Sequence, residues 1–265
     1  MSRMPATKSL SVTTDRRGAC TLTLQRPERH NALDAALIGA LLSHLQALER
    51  DPTVRVVILT GSGESFCSGG DLDWFTALAS PEPGSHGDEI KDFAPLLQTL
   101  HGLSKPTIAR IQGPAYGGGV GLIACCDLAI ASDSARFALT ELRLGLLPTM
   151  IAPYILQAIG TRETLRLAIS AEAIDAEEAL RIGLLHQVVK PSELDRVLDI
   201  QIARVLKAAP AALAGFKHLI ANYSPLPHGD FDTVEAFLAR LRGSPEAREG
   251  IAAFVEKRKP SWQVP

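Results

Sequence analysis

Nine of the chain's 21 glycines fall in two short windows, and each window directly follows a run rich in β-branched residues. Gly61, Gly63, Gly69 and Gly70 follow the run 54–60; Gly113, Gly117, Gly118, Gly119 and Gly121 follow the run 107–111. Glycine after a strand permits positive φ and a close backbone approach to a ligand. Where a helix opens next, its unpaired N–H groups and its dipole favour negative charge. A chain with two such turns is constrained to strand, glycine turn and helix at least twice, which is an α/β pattern. Three uses compete for the turns: tight packing, a dinucleotide site, or N–H donors converging on one oxyanion. For a single glycine pair, packing is the better explanation. The dinucleotide reading fails, because Gly117, Gly119 and Gly121 miss the required spacing and no acid ends a following strand about 20 residues on. Converging donors make the best use of both turns.

The rest of the pattern agrees with α/β. Residues 21–24 alternate polar and apolar as a half-buried strand does, and Leu37, Leu41, Leu45 and Leu48 recur at helical spacing. Further strands are expected at 128–130 and 136–139, with a helix around 89–103. After residue 190 the chain turns helical, with helices expected at 195–207, 210–222, 230–242 and 244–259 and a hinge at 223–227. Ser244-Pro245-Glu246 supplies a cap hydroxyl, a first-turn proline and an acid at the positive helix end. We divide the chain into an α/β core, 1–190, and a C-terminal helical region, 191–265.

Composition narrows the function. Lys and Arg number 27 against 29 Asp and Glu, a net charge of −2, which does not suit a nucleic-acid partner. The uncharged stretch 144–161 is interrupted by Pro148 and Pro153, so no membrane span is expected. Cys20, Cys67, Cys125 and Cys126 form no CxxC pair, and the N-terminus has no apolar run suited to a signal peptide. Free thiols and a cytoplasmic location are the expectation. No serine elbow and no His or Cys metal spacing is present, so neither serine-hydrolase nor metal chemistry is expected. Glu141 lies among apolar residues after a strand. Such a glutamate is ordinarily a helix-start or ion-pair residue, but desolvation would also fit it for proton transfer near neutral pH.

Four strings occur in one characteristic order: Arg26-Pro27-Glu28-Arg29-His30-Asn31-Ala32-Leu33; Phe66-Cys67-Ser68-Gly69-Gly70-Asp71-Leu72; Lys105-Pro106-Thr107-Ile108-Ala109 with Gly113 and Gly117-Gly118-Gly119; and Phe254-Val255-Glu256-Lys257-Arg258-Lys259-Pro260. Over nearly its whole length the chain resembles the crotonase (enoyl-CoA hydratase/isomerase) superfamily. The resemblance implies a spiral of ββα units, a C-terminal helical trimerisation region, and a homotrimer or dimer of trimers. It implies that the N–H groups of Gly70 and Gly118 hold the thioester oxygen of an acyl-CoA, with Glu141 as the acid. It also implies CoA contacts from Ser68, Gly69, Asp71 and Leu72, from Arg29 near the phosphates or adenine, and from Phe254 and Lys257, in a neighbouring subunit or the same one. Coenzyme A is then part of the substrate, and no separate cofactor or metal is implied.

One position departs from the family pattern. Typical hydratases of the superfamily carry a first glutamate three residues past the middle glycine of the second turn, and that position is Gly121. The strings around Gly117 to Leu122, Gly70 to Trp74 and Phe137 to Pro148, with Ile151-Ala152-Pro153-Tyr154, resemble bacterial 3-methylglutaconyl-CoA hydratases and isohexenylglutaconyl-CoA hydratases, where glycine there is ordinary. The reading is therefore hydration of a 3-branched 2-enoyl-CoA bearing a second carboxylate; only Arg136 and Arg143 are near in sequence as its cation. The alternatives are an enoyl-CoA isomerase using Glu141 alone, or a non-catalytic CoA-binding or interaction protein.

Overall fold

The computed structural model describes residues 9–71, 73, 91–223 and 244–263. Leu72, Trp74, the expected helix 230–242 and the hinge from residue 224 onward lie outside the described residues.

A six-stranded sheet is assembled from β1 (Leu10–Thr14), β2 (Ala19–Leu24), β3 (Val56–Gly61), β4 (Thr107–Ile111), β6 (Leu128–Ser132) and β9 (Gln187–Val189), in the order β1-β2-β3-β4-β6-β9. Only the β1–β2 hairpin is antiparallel; every other pairing in this sheet is parallel. A smaller sheet joins β5 (Ala115–Tyr116), β7 (Arg136–Ala138) and β8 (Ile174–Asp175). The crossovers between parallel strands are helical: α1 (Ala35–Arg50) between β2 and β3, α2 (Phe93–Gly102) between β3 and β4, and α3 (Gly118–Ala124) between β4 and β6. Parallel pairing needs such crossovers, which is why the β-branched runs alternate with helical patterns.

Every residue of β3 is buried, because both faces of the sheet are covered. Successive side chains point to opposite faces. Val57 and Leu59 join the main core with Leu37, Leu41 and Leu45 of α1 and with Leu96, Leu97 and Leu100 of α2. Val56 and Ile58 face the other way, into a second cluster with Ala19, Ile108 and Ile130. That cluster is closed by Leu194, Val197 and Ile202 of α6 (Leu194–Val205). Chain beyond residue 190 thus completes a face of the same sheet.

The Ser244 start signal acts as read, accepting from the Ala247 N–H at 3.1 Å to open α8 (Pro245–Val255). Asp34, not singled out from sequence, does the same for α1, accepting from the Leu37 N–H at 2.7 Å. Helix α7 (Pro210–Tyr223) matches its expected span. The stretch 144–161 behaves differently from its reading as simply interrupted. Pro153 sits in the first turn of α4 (Ala152–Ser170), where a missing N–H costs no hydrogen bond, and the break comes instead at Gly160, with φ 73°. The short α5 (Ala176–Arg181) and strands β1, β5, β8 and β9 carry too little pattern to be read from sequence. The four cysteines are free thiols. Among the described residues no helix is long and apolar enough to cross a membrane.

Ile58 is fully buried between the sheet and α6. Ile58→Ala should cost about 2–5 kcal/mol of stability, measured as a lowered denaturant midpoint at an unchanged slope.

Candidate active site

Strands β3 and β4 pair in parallel, Val57 opposite Thr107 and Thr60 opposite Arg110, so both glycine windows emerge at the same sheet edge. There the two turns are laced together. The Phe66 N–H donates to Pro114 O and the Tyr116 N–H to Cys67 O, both at 2.9 Å, and Cys67 and Ala115 form a parallel bridge. Residues 30–33 close the first turn from outside. Ser68 N–H donates to His30 O, Leu33 N–H to Gly69 O and Asp71 N–H to Leu33 O. Asn31, fully buried at φ 55°, donates from Nδ2 to the carbonyls of Ser62 and Ser65.

This lacing leaves no room for side chains. A Cβ on Gly119 would stand 2.3 Å from Cys67 O, and one on Gly69, at φ 94°, would stand 3.0 Å from Tyr116 O and 3.5 Å from Gly118 N. Gly69 and Gly118 are therefore in backbone contact. Gly118 opens α3, whose first N–H groups have no intrahelical acceptor. Neither the Gly70 N–H nor the Gly118 N–H donates to any described acceptor. The two glycine turns adjoin, and the Gly70 and Gly118 N–H groups have no acceptor among the described residues.

Both turns line a cavity of about 240 Å³. Ser68, Gly69, Gly70, Gly117 and Gly118 form one side, with Leu33, Ile38 and Phe93 behind them. The other side is Thr140, Glu141 and the segment from Leu144 to Ile151. Glu141 begins a single 3-10 turn, Glu141–Leu144, just after β7. Its carboxyl lies against Gly117, where a Cβ would meet Oε1 at 2.7 Å. Oε2 is buried without a hydrogen-bond partner among the described residues. Burial pushes the Glu141 carboxyl above the ordinary carboxylate range, against opposing backbone N–H contacts at Glu141 and Thr140.

Other residues singled out from sequence are placed elsewhere. Asp71 does not line the cavity: its carboxylate is turned inward and ion-paired to Arg26 at 2.8 Å. Burial raises its pKa, but the Asp73 N–H and the Arg26 guanidinium outweigh that and hold it below the usual range. Asp71 is a staple between the first turn and residues 26–34, since Arg26 also reaches Asp34 at 3.1 Å and the Ala32 carbonyl. Arg29 is half-exposed beside Asp73 at 3.4 Å. Phe254, 85% exposed on α8, and Lys257, which closes that helix at φ 54°, are not part of the cavity wall. Arg136 donates to the carbonyls of Asp133 and Ala135, and Arg143 to that of Ser170; neither lines the cavity. Sequence reasoning missed Gly117 and Ile151 as wall residues. Gly117 had a signal in its place within the second window; Ile151 had none. Among the described residues no group of three or more His, Cys, Asp or Glu side chains is arranged to hold a metal.

Comparison with known proteins agrees with this geometry. Residues 14–265 match the family model described as enoyl-CoA hydratase/isomerase. The chain is 35% identical to (E)-benzylidenesuccinyl-CoA hydratase of Thauera aromatica, over 91% of this chain and 94% of that one. It is 34% identical to 1,2-epoxyphenylacetyl-CoA isomerase of Escherichia coli, over 93% and 95%. The solved structure of Pseudomonas aeruginosa AtuE superposes with a TM-score of 0.91 at 33% identity, over 97% of this chain and 100% of that one. A hydratase and an isomerase stand at nearly equal distance, so identity alone does not choose between the two reactions.

The raised Glu141 pKa carries a stability consequence. The folded state holds this proton more tightly than the unfolded chain, so stability is lost as pH rises from the unfolded value through the folded one. Glu141→Gln removes that penalty. The variant should melt above wild type at about pH 8, and the gap should close below about pH 4, where both states of Glu141 are protonated. Thermal melts of the two proteins across that range check it.

Proposed function

The chain belongs to the enoyl-CoA hydratase/isomerase family, and from that premise we propose that it is a hydratase-type lyase adding water across the C2=C3 bond of a 2-enoyl-CoA thioester. One observation carries the reading. A single desolvated carboxyl, Glu141, shares a cavity with two adjoining turns whose Gly70 and Gly118 N–H groups are unspent.

The chemistry follows from those groups. The thioester carbonyl accepts hydrogen bonds from Gly70 and Gly118, which draws electron density from C3 and stabilises the enolate oxygen as it forms. Ionised Glu141 takes a proton from water while the water oxygen bonds to C3 and the C2=C3 electron pair moves into the enolate. Protonated Glu141 then returns that proton to C2, restoring the thioester carbonyl and its own charge. Water is consumed, and no other reactant is needed. A carboxyl whose pKa is raised toward the operating pH is a stronger base toward water when ionised and holds the proton long enough to return it to the more basic enolate carbon.

The favoured substrate is a 3-branched 2-enoyl-CoA of the 3-methylglutaconyl or isohexenylglutaconyl type. Phe93, Leu146, Met150 and Ile151 make an apolar wall that suits a hydrocarbon branch, methyl or isohexenyl. None of the described lining residues is a cation, so the second carboxylate is assigned outside this lining. Isomerisation is the second reading. It is favoured by the lone carboxyl, which can move one proton between carbons without any water.

Glu141→Gln should abolish turnover while CoA-ester binding, followed by calorimetry, survives; near wild-type rates would refute the role of Glu141. Gly118→Pro removes one N–H at a helix position that accepts proline, and kcat should fall by about 10²–10³-fold. Steady-state kinetics decide that point. Incubation with crotonyl-, 3-methylglutaconyl- and isohexenylglutaconyl-CoA, read by mass, separates the reactions. A gain of one water selects the hydratase, an isobaric product the isomerase, and no turnover a binding protein.

A further inference from the structure

Gly121 is the residue at which the wall of the cavity is built differently from what its helix position would ordinarily allow. The Gly121 N–H donates to Gly117 O at 3.1 Å, so the two glycines stand one turn apart at the start of α3. Each lacks a side chain, and each missing volume is occupied by another element. At Gly117 the occupant is the Glu141 carboxyl. At Gly121 it is Ile151: a Cβ there would lie 2.1 Å from Ile151 Cγ2 and 2.7 Å from its Cβ. Ile151, 3% exposed, caps the N-terminus of α4 and also lines the cavity. The helix it begins packs on the 3-10 turn that carries Glu141. An isoleucine and the acid thus occupy neighbouring notches on one helix.

We propose that Ile151 is a positioning residue for Glu141: seated in the volume that Gly121 leaves empty, it closes the inner side of the carboxyl to water, so that the acid exchanges its proton only with what enters the cavity. The groups that face Glu141 around this cavity are the glycines of both turns, Ser68, Thr140 and Thr149, and no charged side chain other than Glu141 is among the described lining residues. Arg143, two residues on, is held on the Ser170 carbonyl. With no counter-charge among the described lining residues, burial is the leading influence on the proton affinity of Glu141. Its Oε2 is buried without a hydrogen-bond partner among the described residues, and on this proposal Ile151 is one of the groups that keep it so.

The inference rests on the acid–base role proposed for Glu141, but its primary test needs no turnover. The melting-temperature gap between the chain with Glu141 intact and the Glu141→Gln variant is followed against pH in three backgrounds: Ile151 unchanged, Ile151→Ser and Ile151→Thr. The Thr variant keeps nearly the volume of valine and guards against a failure of the Ser variant to fold. Admitting water or a hydroxyl should lower the pH at which the gap stops widening, which is set by the folded-state carboxyl, toward the ordinary carboxylate value, and should shrink the gap at about pH 8. Ile151→Val keeps the two atoms that meet Gly121 and should leave that pH in place. A merely structural role would lower all melting temperatures but leave the gap levelling off at the same pH and with the same size at about pH 8, and that result overturns the proposal. The limb of the kcat/KM profile set by Glu141, on whichever of the three thioesters is turned over, should move the same way. Turnover by Glu141→Gln would sink the acid–base reading alone, and the melting gap would still decide the role of Ile151.

Discussion

The site depends on the backbone-to-backbone contact of two turns. Cys67 and Ala115 pair as a bridge, Gly119 packs on Cys67 O, and a Cβ on Gly113 would stand 1.8 Å from Glu64 O. Any side chain at these places would push the turns apart. Their contact sets the spacing between the Gly70 and Gly118 N–H groups, which a carbonyl oxygen must bridge to be held by both. Asn31, Arg26 and Asp71 secure the first turn from the other side with buried hydrogen bonds and an ion pair. Those residues act on the chemistry by holding geometry.

Glu141 is the complement of that rigid donor pair. A carboxyl with one oxygen buried and without a partner among the described residues is costly to ionise, and proteins ordinarily avoid the arrangement. Here it is over-determined by packing: Gly117 admits the carboxyl, β7 and the 3-10 turn hold its backbone, and Ile151 fills the adjoining notch. The cost is taken from stability and appears as readiness to trade a proton. Gly70, Gly118 and Glu141 line one apolar cavity, and on the proposed reading donors that favour negative charge and an acid that resists it supply the polarity an enolate-forming reaction requires.

Much of the fold was legible because its signals are local. The run 54–60 reads as a buried strand since both faces of β3 are covered, and α1, α7 and the Ser244 cap follow from spacing and capping alone. The short strands β5, β8 and β9 were not legible. Two or three residues hold no periodicity, and those strands exist because a partner strand is already in place. Pro153 misled for a related reason: the same residue that breaks a helix interior starts one comfortably. In the site, Glu141 and the two glycine turns stood out by residue type and place, whereas Asp71 looked equally available and is in fact consumed by Arg26.

By itself the sequence determined the α/β class, the two glycine turns, the single acid, and the family to which their order belongs. It did so because strand, turn and helix preferences, and the order of motifs, are written along the chain. Only the tertiary structure decided that the turns touch, that the Gly70 and Gly118 N–H groups have no acceptor among the described residues, and that the absence of a side chain at Gly121 is filled by Ile151 from 30 residues away. That contact joins the start of α3 to the start of α4, and no periodicity or motif encodes which atoms will fill a notch. Packing in three dimensions settles that, and with it how deeply the carboxyl of Glu141 is buried.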